Sequence, residues 1–195
     1  MEGGGDQRDK SQPLREGLGQ FLAPLRERAR LRKINWDIMV CGSRNSAFDN
    51  FKTALKVHPE AFNILLVDSE GPVHQQPWAH LKRDRWKKPA RVKEENCHLM
   101  VQAMEAWLIA DVDALRAFYG QGFNSNPIPK TKDVESVEKA RLVSSLRQAI
   151  RKTSKRDYDK TRHAPKILAL LNAEKVQKKA AHCKRLFNTL TKIMK

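Results

Sequence analysis

The fold is decided by residues 62–71, which read FNILLVDSEG. The first six residues are nearly all apolar, and the apolar run stops at Asp68. A short continuous run of this kind is typical of a parallel strand that other elements cover on both faces. Segments with helical and strand periodicity lie on either side of it. The sequence therefore predicts an α/β fold in which helices flank a mostly parallel sheet.

The segments around this run divide the chain into two regions. Residues 1–120 alternate between helix and strand, and we expect them to form the α/β core. After a proline-containing linker, residues 121–195 are expected to form a basic helical region packed on that core. The predicted elements before residue 120 are helices over residues 11–32 and 47–57, strands over residues 35–40 and 62–67, a surface loop over residues 70–95, either a strand and helix or one helix over residues 98–110, and a helix capped by Asp111. The predicted helices of the second region cover residues 133–152, 165–171 and 174–194.

The net charge of +16 comes from 38 basic and 22 acidic side chains. Residues 130–195 hold 19 of the basic and 6 of the acidic ones, so this region alone carries +13. Such asymmetry indicates a polyanionic partner, most often nucleic acid or an acidic membrane surface. The apolar stripe of residues 174–194 could dock a protein partner or pack against the core of the chain itself.

Several classes of protein are excluded by simple patterns. No apolar run is long enough to span a bilayer, and the N-terminus has no apolar segment of the kind found in signal peptides. The cysteines Cys41, Cys97 and Cys183 are far apart and odd in number, which favours reduced thiols over a disulfide framework. We therefore expect a cytoplasmic protein.

The acidic pair Asp68-Ser69-Glu70 follows the apolar run directly. Residues i and i+2 of a strand point to the same side, so the two carboxylates could converge at the carboxyl end of the strand. Two carboxylates there suit Mg²⁺ or Mn²⁺. The same residues could equally form a polar turn that ends the strand.

Two further acidic positions stand out. Glu2-Gly3-Gly4-Gly5-Asp6 combines carboxylates with a glycine-rich turn that could approach an anion, although a tail of this composition needs no such role. Glu105 lies in the apolar stretch of residues 98–111. Burial of a carboxylate there requires a metal, a base or protonation, whereas an exposed helix stripe would require none of these.

Arg44 and the tryptophans of the long loop have two interpretations each. Arg44 could hold a phosphate bidentately or could be a surface arginine near a strand end. Trp78 and Trp86 could stack on the bases of single-stranded nucleic acid, but tryptophans more often cover an edge of the core.

Taken in order, the acidic pieces resemble the Toprim fold of topoisomerases, bacterial primases and nucleases of the OLD type. Those domains carry Glu-Gly after the first strand and Asp-x-Asp after a later one, where this chain has Glu2-Gly3 and Asp68-x-Glu70. More specifically, the chain resembles the bacterial "domain of unknown function 4276" family, which is Toprim-like. The segments that carry this resemblance are residues 2–6, 41–45, 67–72, 98–107, 118–123 and 158–160, the last near His163.

The resemblance implies a fold and a chemistry. The fold would be Toprim-like, with the strand expected before Glu2 missing and a helical C-terminal extension. The activity would be Mg²⁺-dependent (or Mn²⁺-dependent) cleavage of DNA or RNA. The metal ligands implied are Glu2, Asp6, Asp68 and Glu70.

The resemblance also implies roles for other residues. Glu2 could act as general base or acid, and Glu105 could hold a second metal or support the first. Lys160 would stabilise charge in the transition state, although it could also be one more member of a basic face. The residues expected to contact nucleic acid are Arg44, Lys152, Lys155, Arg156 and Arg162.

Family members are often encoded beside an ABC-type or OLD-like ATPase in apparent phage-defence operons. This context implies an ATPase partner, and many Toprim nucleases act as homodimers. The alternative function is a subunit without catalytic activity that binds nucleic acid or docks a protein in such a complex.

Overall fold

The computed structural model describes residues 7–195, which form ten α-helices and two β-strands. In chain order the elements are α1 (Gln7–Phe21), α2 (Ala23–Leu31), α3 (Arg44–Val57), β1 (Leu65–Asp68), α4 (Pro77–Leu81), β2 (Cys97–Met100), α5 (Glu105–Ala110), α6 (Val112–Tyr119), α7 (Lys139–Ile150), α8 (Ala164–Leu168), α9 (Ala173–Lys179) and α10 (Ala181–Ile193). The fold is thus mixed α/β and mainly helical, with a smaller sheet than the sequence led us to expect.

The strands β1 and β2 lie parallel and form the sheet. Leu65 pairs with Cys97, and Asp68 pairs with Met100 at the carboxyl end. Because successive side chains of a strand point to opposite faces, the apolar run of β1 serves two cores. This confirms the parallel strand predicted from residues 62–67 and explains why its sequence shows no polar alternation.

The sheet separates two hydrophobic cores. The smaller core lies between the sheet and helices α3 and α4 and includes Phe48, Phe51 and both loop tryptophans, Trp78 and Trp86. The larger core takes side chains from α1, α2 and all helices from α5 to α10. Burial of the two tryptophans confirms that they cover an edge of the core, so their rings are not available to stack on bases.

The predicted strand over residues 35–40 is wrong. This segment forms neither strand nor helix; Trp36 and Ile38 pack against the larger core, and Met39 is exposed. It makes no backbone hydrogen bond to another strand within the described residues. The apolar side chains of this segment therefore reflect packing against the larger core rather than pairing in a sheet.

Two predicted long helices are each divided in the structure. The first is interrupted at Leu22, since Pro24 opens the second helix, α2. The C-terminal one is interrupted at Ala180, whose backbone is extended (φ −130°) between α9 and α10. The predicted helix over residues 47–57 is confirmed as α3, with Ser43 as its N-cap. Asp111 caps α6 as predicted, and residues 98–110 form a strand followed by a helix.

The apolar stripe of the C-terminal helices is buried within the chain. Its members are Val176, Ala180, Cys183, Leu186, Phe187, Leu190 and Met194. This stripe therefore packs against the larger core and is not a free docking face. None of the helices in the described region is long and apolar enough to cross a membrane.

Arg185 of α10 ties the C-terminal helix to the edge of the sheet. Its guanidinium donates to the carbonyl oxygens of Cys97 (2.7 Å) and Glu94 (2.6 Å) and to Nδ1 of His98 (3.1 Å). Nε2 of His98 lies 3.0 Å from the carbonyl oxygen of Glu95 and donates to it when Nδ1 is the acceptor. Burial, assisted by the nearby guanidinium, lowers the pKa of His98 to about 4.

This lowered pKa predicts a loss of stability in mild acid. The unfolded chain, with a histidine pKa of about 6.5, takes up the proton first as the pH falls. The free energy of unfolding should therefore drop by about 2 kcal/mol between pH about 7 and about 5 from this residue alone. Urea unfolding should show a weaker pH dependence for His98→Gln than for wild type. The same substitution at the exposed His74 is the control, and an equal effect of both would contradict the prediction.

Gly17 allows α1 to lie directly against α8. A Cβ at this position would be 2.2 Å from the carbonyl oxygen of Pro165, which is backbone and cannot move aside easily. At Gly19, two residues later in the same helix, the nearest atom to a Cβ would be Nη1 of Arg26 at 4.0 Å. The close approach of the two helices therefore depends on the first glycine and not on the second.

We expect the two glycines to respond in opposite directions to alanine. Gly17→Ala should reduce the free energy of unfolding by about 1–3 kcal/mol, because the added methyl overpacks the contact. Gly19→Ala should increase it by up to about 1 kcal/mol through helix propensity. Thermal and urea unfolding of both variants measure this, and a similar effect at the two sites would show that α1 is not packed as described.

Candidate functional site

Asp68 is the last residue of β1, and its carboxylate lies at the carboxyl end of the sheet. Oδ1 accepts a hydrogen bond from the backbone N–H of Met104 (2.8 Å), just before α5. Oδ2 lies 3.2 Å from Nζ of Lys160. With 13% of the side chain exposed, burial raises the pKa of Asp68 against the opposing attraction of Lys160.

Glu105 begins α5, and only 3% of its side chain is exposed. Oε1 accepts a hydrogen bond from the hydroxyl of Tyr158 (3.0 Å), and Oε2 lies 3.4 Å from Nζ of Lys160. Burial, together with the nearby carboxylate, raises the pKa of Tyr158, so its hydroxyl remains a donor. The structure thus excludes an exposed helix stripe as the explanation of this glutamate.

Lys160 lies between the two carboxylates. Burial opposes its charge, but attraction by Asp68 and Glu105 outweighs this effect and raises the pKa of the ammonium. One ammonium faces two carboxylates, so the ionised cluster carries a net charge of −1. Half of the lysine side chain is exposed (51%), so solvent reaches the cluster on the side of Lys160. We call these four residues, Asp68, Glu105, Tyr158 and Lys160, the acid cluster.

Glu70 does not join Asp68, contrary to the spacing argument. The strand ends at Asp68, and Glu70 adopts a left-handed backbone (φ 61°), so the i, i+2 rule no longer applies. Its backbone N–H donates to the carbonyl of Gln102 (2.9 Å), and its carboxylate pairs with Lys139. The two acidic residues therefore contact different lysines.

Ser69, between them, is fully buried and holds the turn. Its hydroxyl donates to the carbonyl of Gly71 (2.6 Å). Its own carbonyl accepts from the guanidinium of Arg83 and lies 2.8 Å from Nε2 of His80. These contacts fix the backbone that presents Asp68 to the cluster.

Residues 1–191 match the family described as "Domain of unknown function (DUF4276)". The chain belongs to this family. The match confirms the predicted family, whereas no curated protein and no solved structure matches the chain.

Two predicted site residues of this DUF4276 chain, Glu2 and Asp6, lie outside the described residues. Among those the structure describes, no group of three or more His, Cys, Asp or Glu side chains is placed to hold a metal. The acid cluster supplies two carboxylates, and Glu70 lies apart from it with Lys139.

The predicted nucleic-acid contacts fall into two groups. Arg44 is half-buried, pairs with Asp84 (2.8 Å) and lies over the ring of Trp86, so it is engaged within the chain. The others lie in residues 151–162, the segment that also carries Tyr158 and Lys160 to the acid cluster. Lys152 and Arg156 are exposed, Lys155 donates to the carbonyl of Phe118 (3.0 Å), and Arg162 pairs with Asp159 (2.6 Å).

His163, named as a neighbour of Lys160, serves another contact. Its Nδ1 accepts from the backbone N–H of Asp159 (3.2 Å) and lies 3.4 Å from the hydroxyl of Tyr119. Burial lowers the pKa of His163. In this DUF4276 chain it organises the turn that positions Lys160 rather than contacting a carboxylate.

Tyr158 and Lys139 are the members of the site region to which the sequence assigned no role. A tyrosine two residues before Lys160, in a segment otherwise rich in charge, is the only local signal for the first. The pairing of Lys139 with Glu70 spans 69 positions and has no local signal.

We expect Tyr158→Phe to reduce the free energy of unfolding by about 1.5–3 kcal/mol, because it removes a hydrogen bond to a buried charged group. Tyr119→Phe is the matched control. It removes a longer contact between uncharged groups and should cost about 1 kcal/mol or less. Urea unfolding of both variants measures the difference. Equal losses would mean that the Glu105 carboxylate does not depend on Tyr158.

Proposed function

We propose that the chain is a Mg²⁺-dependent nuclease of the Toprim type. One observation carries this proposal: Oδ2 of Asp68 and Oε2 of Glu105 both face one cation, the ammonium of Lys160. The other oxygen of each carboxylate is held by a hydrogen-bond donor of the protein. The two oxygens that remain are thus preorganised for a positive charge.

The donor chemistry of the acid cluster fits a hard divalent cation. Mg²⁺ is commonly bound through one or two carboxylates while it keeps several waters. Asp68 and Glu105 would hold it, and their net charge of −1 with Lys160 present leaves charge to be neutralised. Further ligands would come from water and substrate phosphate, or from Glu2 and Asp6.

A bound Mg²⁺ supplies a water of lowered pKa and stabilises negative charge on a phosphodiester. The residues of the chain would do the rest. Tyr158 and the backbone N–H of Met104 would keep the two carboxylates oriented. The ammonium of Lys160, displaced from the carboxylates by the metal, would donate to the phosphoryl oxygen and stabilise the negative charge of the transition state.

The charge around the cluster supports a nucleic-acid substrate. Residues 151–162 contain six basic and two acidic side chains, and this segment includes Lys160, the exposed member of the cluster. Basic side chains that neutralise phosphates supply most of the affinity for a nucleic-acid backbone. Carboxylates in such a surrounding would repel the same polyanion unless a metal accompanied them.

The wider setting is part of the same proposal. A Toprim-like relationship would place the acidic residues at the carboxyl ends of parallel strands, as Asp68 is placed here. An ABC-type or OLD-like ATPase partner and a role in phage defence follow from the resemblance of the family. An effector that needs such a partner would be inactive by itself.

A second candidate function is a nucleic-acid-binding subunit without catalytic activity. Lys160 favours it, because its ammonium already bridges both carboxylates and could serve as a permanent structural cation. The two candidates differ in whether Mg²⁺ can replace this ammonium.

Two measurements separate the candidates: calorimetry of Mg²⁺ binding, and cleavage assays on plasmid DNA, single-stranded DNA and tRNA. Asp68→Asn and Glu105→Gln should each reduce Mg²⁺-dependent cleavage on the order of 100-fold or more, and EDTA should abolish it. Asp49→Asn and Glu27→Gln, which remove exposed carboxylates paired with Lys52 and Arg30, are the matched controls.

Lys160→Met gives the sharpest test. It should tighten Mg²⁺ binding, because the competing ammonium is gone, and at the same time slow cleavage. Cleavage that survives loss of both carboxylates would sink the nuclease proposal. Assays without activity are repeated with the neighbouring ATPase present, and if Mg²⁺ still fails to bind, the non-catalytic subunit is favoured.

A further inference from the structure

Two adjoining cavities lie around the start of α6 and the end of α9. The larger has a volume of about 350 Å³ and lies between residues 125–132 and α9. The smaller, of about 250 Å³, lies where α5 ends and α6 begins. The two share Val112 and Lys179 as lining residues, so they adjoin each other, and we call the pair the depression.

Lysines are the only charged residues that line the larger cavity, whereas Asp111 and Asp113 also line the smaller one. Lys130, Lys132 and Lys179 line the larger cavity, and no acidic side chain lines it. Lys175, Lys178 and Lys179 line the smaller one. We call the larger cavity with its three lysines the lysine cavity.

The ion pairs of these lysines differ between the two cavities. Lys175 is neutralised by Asp111 (3.3 Å) and Asp113 (2.7 Å). Within residues 11–195, none of the three lysines of the lysine cavity pairs with an acidic side chain. Like charges gathered around a concave surface repel one another unless an anion joins them.

The electrostatics of helix ends accounts for the lysines of α9 but not for the other lysines of the lysine cavity. Lys178 and Lys179 lie in the last turn of α9, where a positive charge stabilises the carbonyl end of the helix. Lys130 and Lys132 lie outside any helix, between Pro129 and the turn that starts at Val134. Their position at the rim of the cavity has no such local cause.

We propose that the lysine cavity binds phosphate groups, and that it holds the backbone of the nucleic acid on which the acid cluster acts. The assignment of the ligand to nucleic acid rests on the proposed function, whereas the phosphate chemistry rests on the cavity itself. Ala110, the last residue of α5, lines the smaller cavity, and Glu105 is the first residue of the same helix. The five helical steps between them cover about 7.5 Å, so a strand of a few nucleotides could reach from the acid cluster to the depression.

Fluorescence anisotropy with a labelled single-stranded DNA oligonucleotide tests the proposal. The measurement is made in EDTA and in the Asp68→Asn background, so that it reports binding without cleavage. The triple variant K130Q/K132Q/K179Q should bind about tenfold more weakly or worse. The slope of log affinity against log salt should become shallower by about two, since three phosphate contacts are lost.

The matched control is K166Q/K184Q/K192Q, which removes three lysines of the same region outside the cavity and lowers the net charge equally. It should weaken binding by less than about threefold. The variant K130R/K132R/K179R keeps the charges and should retain binding, which guards against a folding defect in the glutamine triple. Equal weakening by the two glutamine triples would overturn the proposal, because binding would then depend on overall charge alone.

A second arm uses inorganic pyrophosphate and calorimetry. Pyrophosphate that binds wild type but not the cavity triple, with oligonucleotide binding unchanged, would support a phosphate site and assign it to a small phosphate compound instead of a strand. If the cavity triple loses oligonucleotide binding but still binds Mg²⁺, the result supports phosphate binding by the lysine cavity whether or not the protein cleaves nucleic acid. The test of the lysine cavity is therefore independent of the nuclease proposal.

Discussion

Two carboxylates that share one ammonium are the constraint on which the site depends. Glu105 begins a helix whose every residue is buried, so its charge needs partners inside the protein. Tyr158 and Lys160 provide them from a segment more than 50 residues later. Because Asp68 uses the same ammonium, the end of β1, the start of α5 and the segment after α7 are held at one point.

This sharing also sets the electrostatics of the site. A single lysine cannot neutralise both carboxylates, so burial raises the pKa of Asp68 even though the ammonium lies beside it. The same two carboxylates raise the pKa of Lys160 and keep it charged. A cluster with an excess negative charge attracts any cation that enters from its exposed side. An unneutralised buried carboxylate destabilises a purely structural salt bridge, whereas it would help a site to bind a metal ion.

The sequence predicts the parts of the fold that depend on local pattern. The apolar run before Asp68, the cap at Asp111 and the apolar stripe of residues 174–194 all appear where the sequence predicts them, since each signal is local in the sequence. Residues 35–40 have the same local character as a strand, but a strand also needs a partner, which their own sequence cannot show.

The residues of the site also divide into those with a local sequence signal and those whose role depends on distant segments. Asp68 and Glu105 stand out because an acid at a strand end or in an apolar stretch needs an explanation. Lys160 came from the resemblance to a family. Tyr158 and Lys139 could not be predicted, because their roles depend on how distant segments meet. The left-handed turn at Glu70, which separates it from Asp68, is likewise set by contacts of Ser69 with Arg83 and His80.

The positive charge of the chain therefore has two distinct uses. Lys139, Lys160 and Lys175 each form ion pairs with acidic side chains that the fold brings close. The lysines of the lysine cavity have no such partners in the described chain and remain available to an external anion. Paired lysines weaken the field that a polyanion meets, whereas unpaired ones in a concave surface concentrate it. The distribution of ion pairs, rather than the total of +16, is thus what singles out the lysine cavity as the proposed phosphate-binding surface.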